Sequence, residues 1–176
     1  NPALKKIDDI LDESFKGDYY YNFARKMFPN PNQLKEIQFW GGEPSIRLDR
    51  AKYTVTKLID YYPNLSHFVM STNFTLDEFT DQLFGFLNIL NEFPNRNFNF
   101  TLQLSIDGPE WLNDYSRGKG VTKRFIENFY KLIEEIPNRL PKNVTLIWHF
   151  KATLDKFSIR QLQTKEKIIE YFQFFD

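Results

Sequence analysis

Two hydrophobic periodicities alternate along this chain, one typical of β-strands and the other of amphipathic helices. Short runs rich in β-branched and aromatic residues, bounded by Pro and Asn, predict strands. They span residues 37–40, 67–71, 98–106 and 144–152. After each run, apolar residues recur every three or four positions, which predicts a helix. These helices are predicted near residues 48–61, 76–90, 122–135 and 158–174.

Repetition of a strand followed by a helix defines the predicted fold class. Such βα units build a parallel sheet with right-handed crossovers. We therefore predict a single α/β domain over residues 1–176, and the pattern leaves open whether the sheet is flat or curls into part of a barrel. Two further helices are predicted ahead of the first strand, over residues 2–14 and 20–27.

Composition narrows the range of partners. A length of 176 residues with 41% apolar residues suits one globular domain with a sizeable core. Lys plus Arg and Asp plus Glu both number 23, and this balance argues against a nucleic-acid partner. The sequence contains no run of eighteen apolar residues and begins without an apolar signal region, so we expect no membrane partner and a cytoplasmic location.

The chain contains no cysteine. Disulfides, zinc-thiolate sites and cysteine nucleophiles are therefore excluded from this sequence.

The segment Gly41-Gly42-Glu43-Pro44 follows the first predicted strand directly. Ligands of α/β proteins gather at the carboxyl ends of the strands, and glycine lets a backbone approach a ligand closely. Backbone carbonyls in this loop could accept hydrogen bonds from an ammonium group, and Glu43 could pair with that cation or brace the loop. The alternative is a plain strand-to-helix turn.

The second predicted strand ends in Ser71, Thr72 and Asn73. Small polar side chains at this position are suited to hydrogen bonding with a ligand's hydroxyl or carboxylate groups. The alternative is that Asn73 and Thr75 cap the next helix.

The third predicted strand ends in Ser105-Ile106-Asp107-Gly108-Pro109. Side chains alternate along a strand, so Ser105 and Asp107 share a face and could converge on the same cavity as Glu43. Asp114 and Arg117 follow, and then Gly118, Gly120 and a helix that contains Asn128. The alternative is an Asx-type turn at Asp107 with a surface arginine.

In combination, Phe39-Trp40-Gly41-Gly42-Glu43-Pro44 and the later stretch from Ser105 to Gly120 resemble the radical S-adenosylmethionine (SAM) superfamily, especially its peptide- and protein-modifying branch. The resemblance implies a parallel-stranded partial (βα) barrel, with about four of six units visible and both ends incomplete. One departure is Phe74, which stands where many members carry glycine.

The resemblance also implies a set of SAM contacts. The Gly-Gly-Glu segment would contact the amino group of the methionine moiety, and Ser105 with Arg117 would hold its carboxylate. The cofactor-binding residues implied in this way are Gly41, Gly42, Glu43, Ser71, Asn73, Ser105, Asp107 and Arg117.

Members of the family cleave SAM reductively to a 5′-deoxyadenosyl radical. The resemblance to the peptide- and protein-modifying branch implies that the substrate here is a peptide or protein. The reaction needs a [4Fe–4S] cluster held by three cysteines spaced CxxxCxxC, and this chain cannot ligate one. Either the chain is part of a longer enzyme whose cysteines lie outside it, or it is a cluster-less domain used for binding or scaffolding. An unrelated α/β enzyme that uses the same loop positions is a third hypothesis.

Overall fold

A computed structural model describes residues 18–176 of the chain. The strands are β1 (Glu36–Phe39), β2 (His67–Thr72), β3 (Phe98–Ser105) and β4 (Val144–Lys151). The helices are α1 (Tyr19–Met27), α2 (Leu48–Tyr61), α3 (Phe79–Leu87), α4 (Glu110–Arg117), α5 (Val121–Arg139), α6 (Lys156–Gln161) and α7 (Lys165–Gln173), with 3-10 turns at Pro44–Arg47 and Asn88–Glu92. The helix predicted over residues 2–14 lies outside the described residues.

The four strands form one sheet in the order β1-β2-β3-β4, and every neighbouring pair is parallel. Consecutive strands are therefore neighbours, and each crossover between them contains helical structure. This confirms the predicted α/β class with a parallel sheet. Parallel pairing also brings all four carboxyl ends to one edge, where the loops that carry the sequence motifs begin.

Alternation along the strands directs one face of the sheet into the core. In β3, the side chains of Phe98, Phe100, Leu102 and Leu104 are buried, whereas the residues between them are half-buried. Helices α2, α3 and α5 contribute to the same core through Val55, Ile59, Leu83, Phe84, Phe86, Phe125 and Leu132. Burial of one such side chain stabilises the fold by about 1.5–3 kcal/mol, so this layer is the main source of stability.

The other face of the sheet carries polar, half-buried or exposed side chains. Ser71, Gln103 and His149 lie side by side on this open face, in register across β2, β3 and β4. In a flat sheet, β1 and β4 would lie about 14 Å apart. The Lys151 ammonium nevertheless lies 4.7 Å from the centre of the Trp40 ring just beyond β1. The side chains of Lys151 and Trp40 therefore reach toward each other across the open face.

Two helix predictions are corrected by the structure, and one helix was not predicted. The helix predicted over residues 76–90 is α3 followed by a 3-10 turn. The helix predicted over 158–174 is divided into α6 and α7, because the side chains of Asp155 and Thr164 each cap a separate helix. Helix α4 lies in a stretch to which the sequence pattern assigned no element.

Within residues 18–176, no helix combines the length and apolar character needed to cross a bilayer.

Candidate functional site at the carboxyl edge of the sheet

A cleft of about 340 Å³ lies where the chain leaves β1, β2 and β3. Its lining residues are Trp40, Gly41, Gly42, Ser71, Thr72, Asn73, Ser105 and Arg117. Six of the eight residues predicted for a cofactor site are among them. The other two predicted residues, Glu43 and Asp107, do not line the cleft but hydrogen-bond to residues that do.

The Glu43 carboxylate holds the first loop against the end of β2. Its Oε1 accepts from the Ser45 amide (3.3 Å), the Ser45 hydroxyl (2.7 Å) and the Thr72 hydroxyl (2.6 Å), and its Oε2 accepts from the Asn73 amide (2.7 Å). These four donors satisfy most of the acceptor capacity of the carboxylate. Of the two roles considered for Glu43, bracing of the loop is the one that this geometry describes.

Gly41 gives the loop its shape at the cleft. Its φ of 112° lies in the region that side-chain-bearing residues rarely adopt, so a glycine is required there. A Cβ atom added at Gly41 or Gly42 would meet no atom within 4 Å. Both glycines therefore present bare backbone to open space in the cleft, as close approach of a ligand requires.

At the end of β2, Thr72 has a bracing role that no sequence motif indicated. This buried residue donates its hydroxyl to Glu43 and accepts a hydrogen bond from the Phe74 amide (2.9 Å). Asn73 Oδ1 accepts from the amide and hydroxyl of Thr75, forming a local turn. Because α3 begins only at Phe79, Asn73 and Thr75 do not cap it. Ser71 lines the cleft from the open face.

Phe74 adopts a left-handed backbone conformation with φ of 60°, at the position where the resemblance expects glycine. Its ring is fully buried against Phe79 and Phe125. The Asn128 side chain donates to the carbonyls of Phe74 (2.9 Å) and Leu76 (3.0 Å). Ring burial and this amide together hold a conformation that costs about 1–2 kcal/mol for a residue other than glycine.

Asp107 and Arg117 form a two-pronged ion pair behind the cleft. Arg117 Nε donates to Oδ2 (2.7 Å) and Nη2 donates to Oδ1 (2.8 Å), while the Thr153 amide donates to Oδ1 (2.9 Å). Asp107 is 4% exposed, so it depends on these partners for its charge. The Asx-type turn with a surface arginine is therefore not the observed arrangement.

A buried polar network fixes the segment between Asp107 and α5. Asn113 Oδ1 accepts from the Asp107 amide (2.8 Å), and Asn113 Nδ2 donates to the Thr122 hydroxyl (2.8 Å). Asp114 accepts from the amide and hydroxyl of Thr122 and from the Gly120 amide. Burial acts to raise the pKa of Asp114, but these hydrogen bonds together outweigh it and lower the pKa. Asp114 therefore braces the loop that leads from α4 through Gly120 into α5.

Three other hollows described within residues 18–176 are of comparable or greater volume but lack convergent polar groups at the strand ends. One, of about 310 Å³, lies between β1 and α2 and is mostly apolar. A second, of about 600 Å³, is a broad surface depression around Asn143 and Pro94, at the amino edge of the sheet. The third, of about 330 Å³, is mostly apolar and lies beside α5 and Phe174. The cleft at the carboxyl edge therefore remains the candidate site.

Among residues 18–176, no cluster of three or more His, Cys, Asp or Glu is arranged to hold a metal ion.

Comparison of the chain with protein-family models, with curated proteins and with solved structures finds no significant match in any of the three.

Proposed function

We propose that the cleft binds SAM, and that the chain is the SAM-binding part of a radical SAM enzyme that modifies a peptide or protein. The observation that carries this proposal is the meeting of three separate sequence signals in one cleft. The Gly41–Gly42 loop, Ser71 with Asn73, and Ser105 with Arg117 come from three successive βα units, and all of them line it.

The chemistry of the cleft suits the methionine end of SAM. Bare backbone at Gly41 and Gly42 offers carbonyl acceptors for an ammonium group. On the opposite side, the Ser105 hydroxyl and the N–H groups of Arg117 that Asp107 does not use can donate to a carboxylate. A volume of about 340 Å³ lies within the usual range of small-molecule sites, about 300–1,000 Å³.

Glu43 and Asp107 are proposed to act as positioning residues. Each carboxylate joins one loop of the cleft to another part of the chain, through Thr72 and Asn73 in one case and through Arg117 and Thr153 in the other. They hold the donors and acceptors of the cleft in place before a ligand arrives, which reduces the entropy lost on binding.

The residues of this chain do not fit a [4Fe–4S] cluster. Such clusters are held by cysteine thiolates, and the sequence contains none. Radical chemistry would therefore need a cluster held by residues other than these. The contribution of the chain itself is to bind and orient SAM and to shield it partly from water.

A second candidate function is a cluster-less domain that binds SAM or a related nucleotide for regulation or scaffolding. The absence of cysteine favours it directly. Anaerobic purification of the native gene product, followed by iron and sulfide analysis, separates the two candidates. Stoichiometric iron and sulfide would support the enzyme, whereas SAM binding without them would support the binding domain.

The proposal is tested by calorimetric titration of the full chain with SAM. We expect the double substitution Ser105→Ala with Arg117→Lys to weaken SAM binding at least tenfold, because it removes a hydroxyl and the planar guanidinium donor. Affinity for adenosine should stay unchanged. Arg124→Lys, an exposed position on α5, is the matched control. Absence of SAM binding, or equal binding by the double variant, would refute the proposal.

A further inference from the structure

The side chain of Lys151 runs along the rim of the cleft. Lys151 is the last residue of β4 and lies in register with Ser105, which lines one wall. Its Nζ lies 4.7 Å from the centre of the Trp40 ring, which lines the opposite wall. Lys151 does not itself line the cleft, but its side chain begins beside one lining residue and ends over another, so the ammonium group lies next to the cleft.

The other charged groups of the site are already committed to protein partners. Both oxygens of Asp107 accept hydrogen bonds from Arg117, so that pair is neutral as a unit. The Glu43 carboxylate accepts four hydrogen bonds. By contrast, no carboxylate within residues 18–176 pairs with Lys151, whose ammonium is held over the π face of Trp40. Lys151 is therefore a cation beside the cleft that no carboxylate of the described residues neutralises.

A cation over an exposed aromatic ring is held weakly. Trp40 is 59% exposed, so its contact with the Lys151 ammonium is open to water and stabilises that side-chain position only weakly. A charge-assisted hydrogen bond from an ammonium group to a carboxylate in a partly enclosed cleft is stronger. A ligand carboxylate that enters the cleft can thus draw Lys151 away from Trp40 at small cost.

The geometry points to Lys151 as a binding residue for the carboxylate of the ligand. This inference rests on the proposed function, in which that group is the α-carboxylate of SAM. Arg117 and Ser105 supply directional hydrogen bonds from a neutral pair and a hydroxyl, whereas Lys151 supplies the net positive charge. Lys151 would then set the preference of the cleft for carboxylate-bearing ligands.

The inference is tested by calorimetric titration of the full chain with two ligands, SAM and decarboxylated SAM. The second ligand keeps the adenosine, sulfonium and amine groups and lacks only the carboxylate. Lys151→Met removes the ammonium and retains an apolar stem. We expect this variant to bind SAM about tenfold more weakly and to bind decarboxylated SAM with unchanged affinity. Lys151→Arg should recover most of the SAM affinity.

The chain offers a matched control in Lys142→Met, at an exposed position two residues before the amino end of β4. This variant should leave both affinities unchanged. If Lys151→Met weakens both ligands equally, or neither, Lys151 does not contact the carboxylate, while SAM binding by the unaltered chain still upholds the proposed function. If the unaltered chain binds neither ligand, the proposed function fails and the assignment of Lys151 fails with it.

Discussion

The Thr72 hydroxyl donates to Glu43 Oε1 over 2.6 Å, and this hydrogen bond joins the loop after β1 to the last residue of β2. The same carboxylate accepts from the backbone amides of Ser45 and Asn73. Glu43 therefore couples two loops of the cleft through its side chain alone. We expect these hydrogen bonds to make the carboxyl edge of the sheet rigid.

Glu43→Ala should lower the free energy of unfolding by about 1–3 kcal/mol, because the partly buried donors lose a charged acceptor. Glu43→Gln should cost less, since its amide oxygen can still accept from some of them. Urea denaturation measures both values. Glu36→Ala on β1 is the control, because that exposed carboxylate accepts from the exposed Gln38 side chain, and it should change stability by less than about 0.5 kcal/mol. Equal effects at both positions would contradict the bracing role.

Phe74→Gly should destabilise the protein even though it relieves a left-handed backbone. The gain from glycine is about 1–2 kcal/mol, whereas loss of a fully buried phenylalanine ring costs about 3–5 kcal/mol. Chemical denaturation should thus show a net loss of stability.

Asp18→Gly provides the comparison for Phe74→Gly. Asp18 has a similar φ of 57° but contributes only a half-buried ion pair with Lys57. Its replacement should change the free energy of unfolding by no more than about 1 kcal/mol in either direction. A gain in stability from Phe74→Gly would show that backbone strain outweighs ring burial.

Gly108→Ala should destabilise the loop that carries Asp107. A Cβ atom at this position would lie 2.8 and 2.9 Å from ring atoms of Tyr171, and the φ of 137° disfavours any side chain. We expect a loss of about 1–3 kcal/mol in thermal or urea unfolding. Gly42→Ala should be nearly neutral, because no atom lies within 4 Å of the added Cβ. A neutral Gly108→Ala variant would mean that α7 does not pack on this loop as described.

The pH dependence of stability should include a contribution from Asp114. Its folded-state pKa is lowered, so its contribution is fully present above the unfolded-state pKa of about 3.9 and is lost as the pH falls through the folded-state pKa. Asp114→Asn cannot ionise. The stability difference between the unaltered chain and this variant should therefore be constant near neutral pH and should shrink below about pH 4.

The measurement for Asp114 is urea denaturation at a series of pH values from 7 to 3. Asp81 and Asp155 also have lowered pKa values, because they accept hydrogen bonds from Arg139 and from the Ser158 backbone respectively. Their contributions are common to both proteins and cancel in the difference. A difference that stays constant down to the lowest pH would contradict the assignment.

The parallel orientation of the strands could be predicted because each βα unit leaves a local periodicity, whereas the strand order became known only from the structure. Helix α2, for example, has the predicted bounds Leu48–Tyr61. Helix α4 has eight residues and buries only Leu112 and Asn113, so it leaves no apolar stripe long enough to recognise. Boundaries set by single caps, such as Asp155 and Thr164, are equally hard to distinguish from surface polar residues.

Part of the candidate site could be predicted for a related reason. Ser71, Asn73 and Ser105 stand at strand ends, which the sequence pattern marks. The contact between Thr72 and Glu43 depends on how two loops approach in space, and no local pattern encodes it. The contact between Lys151 and Trp40 joins residues that are more than a hundred positions apart, so it becomes visible only in three dimensions.

The two faces of the sheet separate the residues that stabilise the protein from those on the side of the proposed site. Phe100 and Leu102 belong to the first group, and their neighbours Thr101 and Gln103 on the same strand face the opposite way. Substitutions at the second set can accumulate with little loss of stability. Related chains could therefore diverge in what they recognise while they retain one scaffold, and the same positions are the natural targets for redesigning ligand preference.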